Sequence, residues 1–129
     1  MEPLEIDAGI KEPKVFFDAA TGVLEITGRS IPENSFDVYK PLIEWVKGYA
    51  ANPAEVTKFN FKLNYFNSSS AEYLLDIMRC LEKIYLQGKQ VSIFWYFDAE
   101  DEDMQQIGED FKSMLRLPLH MVVNELEED

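Results

Sequence analysis

The stretch that most constrains this chain is Val56–Phe66, where Phe59, Phe61, Leu63 and Tyr65 alternate with Asn60, Lys62 and Asn64. A period of two with apolar residues on one side describes a strand with one buried face. A second such pattern, Val91–Phe97, places Val91, Ile93, Trp95 and Phe97 on one side and Phe94 and Tyr96 on the other. Between them, from about Ser70 to Leu86, the period changes to that of a helix. Its stripe is Leu74, Ile77, Met78, Leu81 and Tyr85, and Gly88 ends it. Two strands joined through a helix pair in parallel by a right-handed crossover, so the chain is committed to an α/β class.

The flanking segments extend that unit. Lys14–Asp18 and Val23–Thr27 read as strands joined by the Ala19–Gly22 turn, with Gly28 and Pro32 ending the hairpin. Ser35 to about Ala51 carries Tyr39, Leu42, Ile43, Val46 and Tyr49 at helical spacing, with Asn34 or Ser35 as its cap. Pro41 removes a backbone donor there and is expected to start, bend or strain that helix. A third helix, about Asp101–Leu115, presents Met104, Ile107, Phe111 and Met114, and Pro118 precedes a last strand, Leu119–Asn124. The expected order is β-β-α-β-α-β-α-β, a two-layer α/β sandwich with a mixed sheet. Its helices lie mainly on one face, and the other face is partly open. Residues 1–13 have two prolines and no periodicity, and are expected to form a flexible arm. Residues 14–124 then form one domain, and 125–129 an acidic tail.

Composition narrows the function classes. A chain of 129 residues, 47% hydrophobic and 13% aromatic, has the means to build a core, which excludes disorder. With 24 acidic against 12 basic residues the net charge is −12, which repels nucleic acid and anionic membranes. No apolar run approaches the roughly 20 residues of a spanning helix. A single cysteine, Cys80, allows no internal disulfide, and the acidic N-terminus has no signal core, so a cytoplasmic location is expected. The charge is uneven: residues 98–129 hold 11 acidic and 2 basic side chains, so electrostatic steering would come from this quarter.

The segment Asn67-Ser68-Ser69-Ser70-Ala71-Glu72 joins the first buried strand to the second helix. Ser69 and Glu72 fit a capping box, S-x-x-E, which places Ser69 at the N-cap and Ser68 just outside. Plain capping is one reading. The other is a phosphosite, because a phosphate on Ser68 or Ser69 would meet the free N–H groups and positive dipole end of a helix. On the same helix Leu75 and Leu86 project near Arg79 and Glu82, away from the apolar stripe. They are either covered by neighbours or form a partner-binding ridge.

Enzyme chemistry has little to draw on. His120 is the only histidine and falls in a strand, and Cys80 sits on a helix flank as a small hydrophobe. The run Asp98–Asp103 lacks the glycine and closing glutamate of a calcium loop, and acidic residues suit a helix start. No catalytic residue, metal ligand or cofactor is assigned. A small metal- or ligand-binding domain using the acidic 98–110 region stays open as an alternative. So does a homodimer formed through the open sheet face at Phe94 and Tyr96.

Several short blocks carry a family resemblance. Gly28-Arg29-Ser30-Ile31-Pro32-Glu33-Asn34-Ser35 resembles the G-x-S-x-P-E-N-S signature of the SiaC family of bacterial regulatory phosphoproteins. Ile43-Glu44-Trp45-Val46 is similar to its first-helix I-D-W-V. Tyr65-Phe66-Asn67-Ser68-Ser69-Ser70 is similar to its Y-L-N-T/S-S-S, and Gly88–Ile93 with Trp95 to the strand after the second helix. The resemblance implies a fold like the STAS domain of anti-sigma factor antagonists. It implies a partner-switching substrate and no enzyme, phosphorylated by a dedicated kinase and restored by a PP2C-type phosphatase. The unphosphorylated form would bind and activate a diguanylate cyclase, raising cyclic di-GMP and promoting biofilm formation. The phosphoacceptor falls on Ser68, with Asn67, Ser69, Ser70 and Glu72 around it; Leu75, Arg79, Glu82 and Leu86 are candidate partner contacts. An anti-sigma factor antagonist binding an anti-sigma kinase is the alternative role.

Overall fold

A computed structural model describes residues 1–125; the rest of the acidic tail expected at 125–129 lies outside the described residues. Strands β1 (Leu4–Ile6), β2 (Lys14–Asp18) and β3 (Val23–Ser30) precede helix α1 (Ser35–Ala50). Then follow β4 (Val56–Phe66), α2 (Ser68–Leu86), β5 (Gln90–Phe97), α3 (Glu102–Met114) and β6 (Leu119–Val123). The six strands lie in sequence order; β1–β2–β3 are antiparallel, and β3 to β6 are parallel. Each helical crossover steps one strand in the same direction, so right-handed connections bring all three helices to one face. The core lies between, built from Leu24, Ile26, Phe59, Phe61, Ile93 and Trp95 below and Leu42, Val46, Leu74, Ile77 and Phe111 above.

Four expectations are revised. The arm at 1–13 contributes an edge strand, β1, which pairs Leu4 with Phe17 and Ile6 with Val15. The arm is tied further by Ile31 N–H donating to the Lys11 carbonyl (2.8 Å), Arg29 Nε to Ile10 O (2.9 Å) and Trp45 Nε1 to Glu2 O (2.9 Å). Three residues are too few to show a period, which is why the pattern missed the strand. Secondly, Gly28 does not end the hairpin. It takes φ 97° inside β3, which continues to Ser30. Thirdly, the β4 alternation breaks at its end. Gly28 pairs with Leu63 but Arg29 with Tyr65, so Asn64 is an extra residue, a bulge. The bulge turns Tyr65 out, 61% exposed, and turns Phe66 in, where it packs edge-on to Phe61 and Trp95. Finally, Met114, expected in the α3 stripe, is exposed.

Other expectations match. Asn34 caps α1, its side chain accepting from Asp37 N–H (3.3 Å); Pro41, by contrast, does not start the helix, which begins at Ser35 and runs unbroken across it. Gly22 holds the hairpin turn at φ 73°, where a side chain would meet the Val56 carbonyl. The open face is not bare: Lys62 Nζ lies 5.0 Å from the Tyr96 ring centre, and Phe94 stacks on the exposed His120 at 5.1 Å.

Candidate functional site

The three serines sit at the C-terminal end of β4, where the chain leaves the sheet for α2. Asn67, not Ser69, is the N-cap: its backbone is extended and Oδ1 accepts from Ser70 N–H at 3.0 Å. Ser68, Ser69 and Ser70 are therefore the first three helical residues, and Glu72 is exposed one turn on, outside the cap. The expected capping box is displaced because an asparagine immediately before the serines satisfies the same orphan N–H first.

At about 100° per residue the three hydroxyls fan out and meet three different environments. Ser70 is fully buried. Its Oγ lies 2.6 Å from Asn67 Oδ1 and 2.9 Å from Ser30 Oγ, and Ser30 Oγ lies 2.6 Å from Tyr39 OH. One proton per hydroxyl satisfies the whole chain: Tyr39 donates to Ser30, Ser30 to Ser70, and Ser70 to Asn67. Burial pushes the Tyr39 phenol up, against the pull of its hydrogen bonds to Ser30 and Ser70. Ser69 points the other way, toward the start of α1, where Ser35 Oγ lies 2.6 Å from its Oγ; it also donates to Asn67 Oδ1 at 3.2 Å. Ser68 is exposed, and among the described residues its hydroxyl has no hydrogen-bond partner.

Ser68 instead borders a cleft of about 560 Å3 between the end of β4, α2 and α3. Its walls include Tyr65, Phe66, Ala71, Met104 and Ile107, with Asp101 and Asp103 at the rim. The β4 bulge is what sets Tyr65 beside Ser68. Asp101 is committed as the N-cap of α3, accepting from Met104 N–H at 3.0 Å, and Asp98 accepts from Asn124 Nδ2 at 2.9 Å. Among the described residues no three His, Cys, Asp or Glu side chains gather as a metal site.

The outer face of α2 divides between the two readings of its pattern. Leu75 is half-buried against the core, whereas Leu86 is 56% exposed. Glu82 Oε2 accepts from Arg116 N–H at 2.7 Å, and Arg79 donates to the Met114 carbonyl at 3.3 Å. These two therefore fasten the α3–β6 turn. Cys80 is half-buried, and burial pushes its thiol up more than nearby Lys47 and Lys83 lower it.

The residues that the sequence pattern did not assign to the site are Ser30, Ser35 and Tyr39, which reach the serine turn from β3 and α1. Asn67 joins them by Nδ2 to the Pro32 carbonyl (3.3 Å) and by its N–H to Ser30 O (2.9 Å). A signal existed: Ser30 falls in register with Leu24 and Ile26 on the buried face of β3. A polar residue at such a position requires a buried partner.

Comparison with known proteins agrees with the fold. Apo-SiaC from Pseudomonas aeruginosa has a TM-score of 0.88 at 27% identity, covering 95% of this chain and 100% of that one. The crystal structure of diguanylate cyclase SiaD in complex with its activator SiaC, also from Pseudomonas aeruginosa, gives 0.88 at 28%, covering 94% and 99%. An uncharacterized protein of Pseudomonas aeruginosa strain UCBPP-PA14 is 30% identical over 118 residues, 92% of this chain and 94% of that protein. A family profile, SiaC family regulatory phosphoprotein, matches residues 6–124. With the fold and these matches in agreement, the chain belongs to the SiaC family of regulatory phosphoproteins.

Proposed function

We propose that this chain is a non-catalytic, cytoplasmic partner-switching protein, reversibly phosphorylated on Ser68, whose unphosphorylated form binds and activates a diguanylate cyclase. A protein kinase and a PP2C-type phosphatase set its state. The observation that carries the site is the unshared hydroxyl of Ser68. Of three adjacent serines it alone is both exposed and without a hydrogen bond among the described residues. The partner class rests on the likeness to SiaC, the activator found in complex with SiaD. The wider likeness to STAS domains belongs to the same reading.

The physical logic is local. A phosphate on Ser68 adds about −1.5 to −2 charge at a helix N-terminus, which tolerates an anion. The fold therefore keeps its shape while the mouth of the neighbouring cleft, already rimmed by Asp101 and Asp103, gains a further dianion beside Ser68. A partner seated over that mouth would have to strip water from the phosphate, a cost of several kcal/mol. That is enough to shift an equilibrium from mostly bound to mostly free. The exposed parts of α2, Leu86 and Arg79, extend the proposed contact surface beyond the serine turn.

The test uses the diguanylate cyclase of the same host as the probe. Ser68→Ala should bind and activate it like the unmodified chain, and Ser68→Asp should bind at least about tenfold more weakly. Equal binding by the two variants, or no cyclase binding by the unmodified chain, refutes the reading.

A further inference from the structure

The exclusion of Ser70 from modification needs no further device, because the residue is fully buried. Ser69 is different. It is exposed and adjacent to Ser68, so burial does not explain why a kinase would pass it over. What distinguishes it is the hydroxyl of Ser35, the buried first residue of α1, which lies 2.6 Å from Ser69 Oγ across 34 residues of sequence. We propose that Ser35 selects the phosphoacceptor: it holds the Ser69 side chain against α1, so that only Ser68 can enter a kinase active site, and Ser69 is a latent second acceptor. This rests on Ser68 being the site of modification.

The geometry supports selection rather than simple capping. Ser69 Oγ is held from both sides, by Ser35 at 2.6 Å and by Asn67 Oδ1 at 3.2 Å. With the Ser69 proton on Asn67, Ser35 donates to Ser69 and occupies a lone pair that would otherwise attack a phosphoryl group. Asn67 cannot move to release it. Its side chain is fixed by Ser70 N–H (3.0 Å), Ser70 Oγ (2.6 Å) and the Pro32 carbonyl (3.3 Å). Ser35 is buried in the first turn of α1, directly after the N-cap Asn34. The chemistry at stake is ordinary phosphoryl transfer. The serine oxygen bonds to the γ-phosphorus of a nucleoside triphosphate, the bond to the diphosphate leaving group breaks, and the hydroxyl proton passes to a base on the kinase. A hydroxyl turned toward α1 and hydrogen-bonded there cannot take the in-line position that this step requires.

The experiment is site-localised fragmentation mass spectrometry of full-length protein recovered from its native host, unmodified in sequence or as Ser35→Ala, Ser35→Thr or Ser68→Ala. The unaltered chain should carry phosphate on Ser68. Ser35→Ala should raise the Ser69-to-Ser68 phosphate ratio about fivefold or more, the factor set by the net worth of one hydrogen bond. Ser35→Thr, which keeps the hydroxyl, should restore the original ratio. Ser68→Ala leaves Ser35 intact and should carry on Ser69 no more than about a fifth of the phosphate that the unaltered chain carries on Ser68, a readout that holds even if Ser35→Ala fails to fold. Phosphate on Ser69 in Ser68→Ala at the level the unaltered chain carries on Ser68 overturns the selection by Ser35, as does a folded Ser35→Ala with an unchanged ratio. Absence of phosphate from Ser68 in the unaltered chain overturns the site reading itself, so the two failures are distinct.

Discussion

Tyr39 shows how one residue can link the core to the switch. It is fully buried, stacks on Tyr73 at 5.7 Å, and heads the hydroxyl chain that ends at the cap of α2. Replacing it by phenylalanine removes the phenol but keeps the ring, so Tyr39→Phe should lose about 0.5–1.5 kcal/mol at neutral pH, read by urea unfolding. The phenol also sets an alkaline limit. Burial raises its folded pKa above the ordinary value, so its contribution is complete below about pH 10 and is lost as pH rises through the folded value. Unfolding series between about pH 8 and 11 should therefore show a steeper alkaline loss for the wild type than for Tyr39→Phe; parallel curves would show that another group sets the limit. At this scale the sequence was only partly readable. The run Asn67–Ser70 marked a helix start, but any of four polar residues could have capped it. The choice of Asn67 depends on where β4 releases the chain.

Among the elements, α3 makes the tightest demand. Gly108 faces the sheet, and a Cβ there would come within 2.6 Å of Trp95 Nε1 and 2.7 Å of Met121 Cε. Trp95 cannot yield easily, because its Nε1 donates to the Met104 carbonyl (3.1 Å) and its ring stacks on Phe61 at 3.9 Å. Alanine normally favours a helix by about 1 kcal/mol over glycine, yet overpacking costs about 1–3 kcal/mol. Gly108→Ala should therefore lower stability by up to about 2 kcal/mol, visible as a reduced midpoint in denaturant; a gain would mean that α3 can slide outward. The apolar stripe of this helix was legible from spacing, but the glycine's role was not, because a missing side chain has no hydropathy to read. The bulge in β4 was invisible for a related reason. Tyr65 and Phe66 are both aromatic, and the pattern cannot say which of two neighbours turns inward until Phe111 and Trp95 supply a pocket.

Across the whole molecule, β1 closes the antiparallel edge of the sheet by covering β2, whose Val15 and Phe17 are buried. Deleting residues 1–9 should cost about 1–3 kcal/mol, from the part-buried Leu4 and Ile6 and from exposure of the edge. Denaturant unfolding with light scattering would check this, the expected result being lower stability with more association. Unchanged stability would mean that β1 is dispensable. The sequence by itself determined the α/β class, the parallel succession from the first crossover onward and the identity of most core residues. Hydrophobic period is a local property, and right-handed crossovers leave little freedom once helices and strands alternate. It also determined the family, because the signature blocks are contiguous in the chain. Only the tertiary structure decided which serine hydroxyl stands unshared, since Ser30 and Ser35 reach Ser70 and Ser69 across 40 and 34 residues. The orientation of a side chain at a helix start is set by what the rest of the fold places opposite it, and no local pattern encodes that distance.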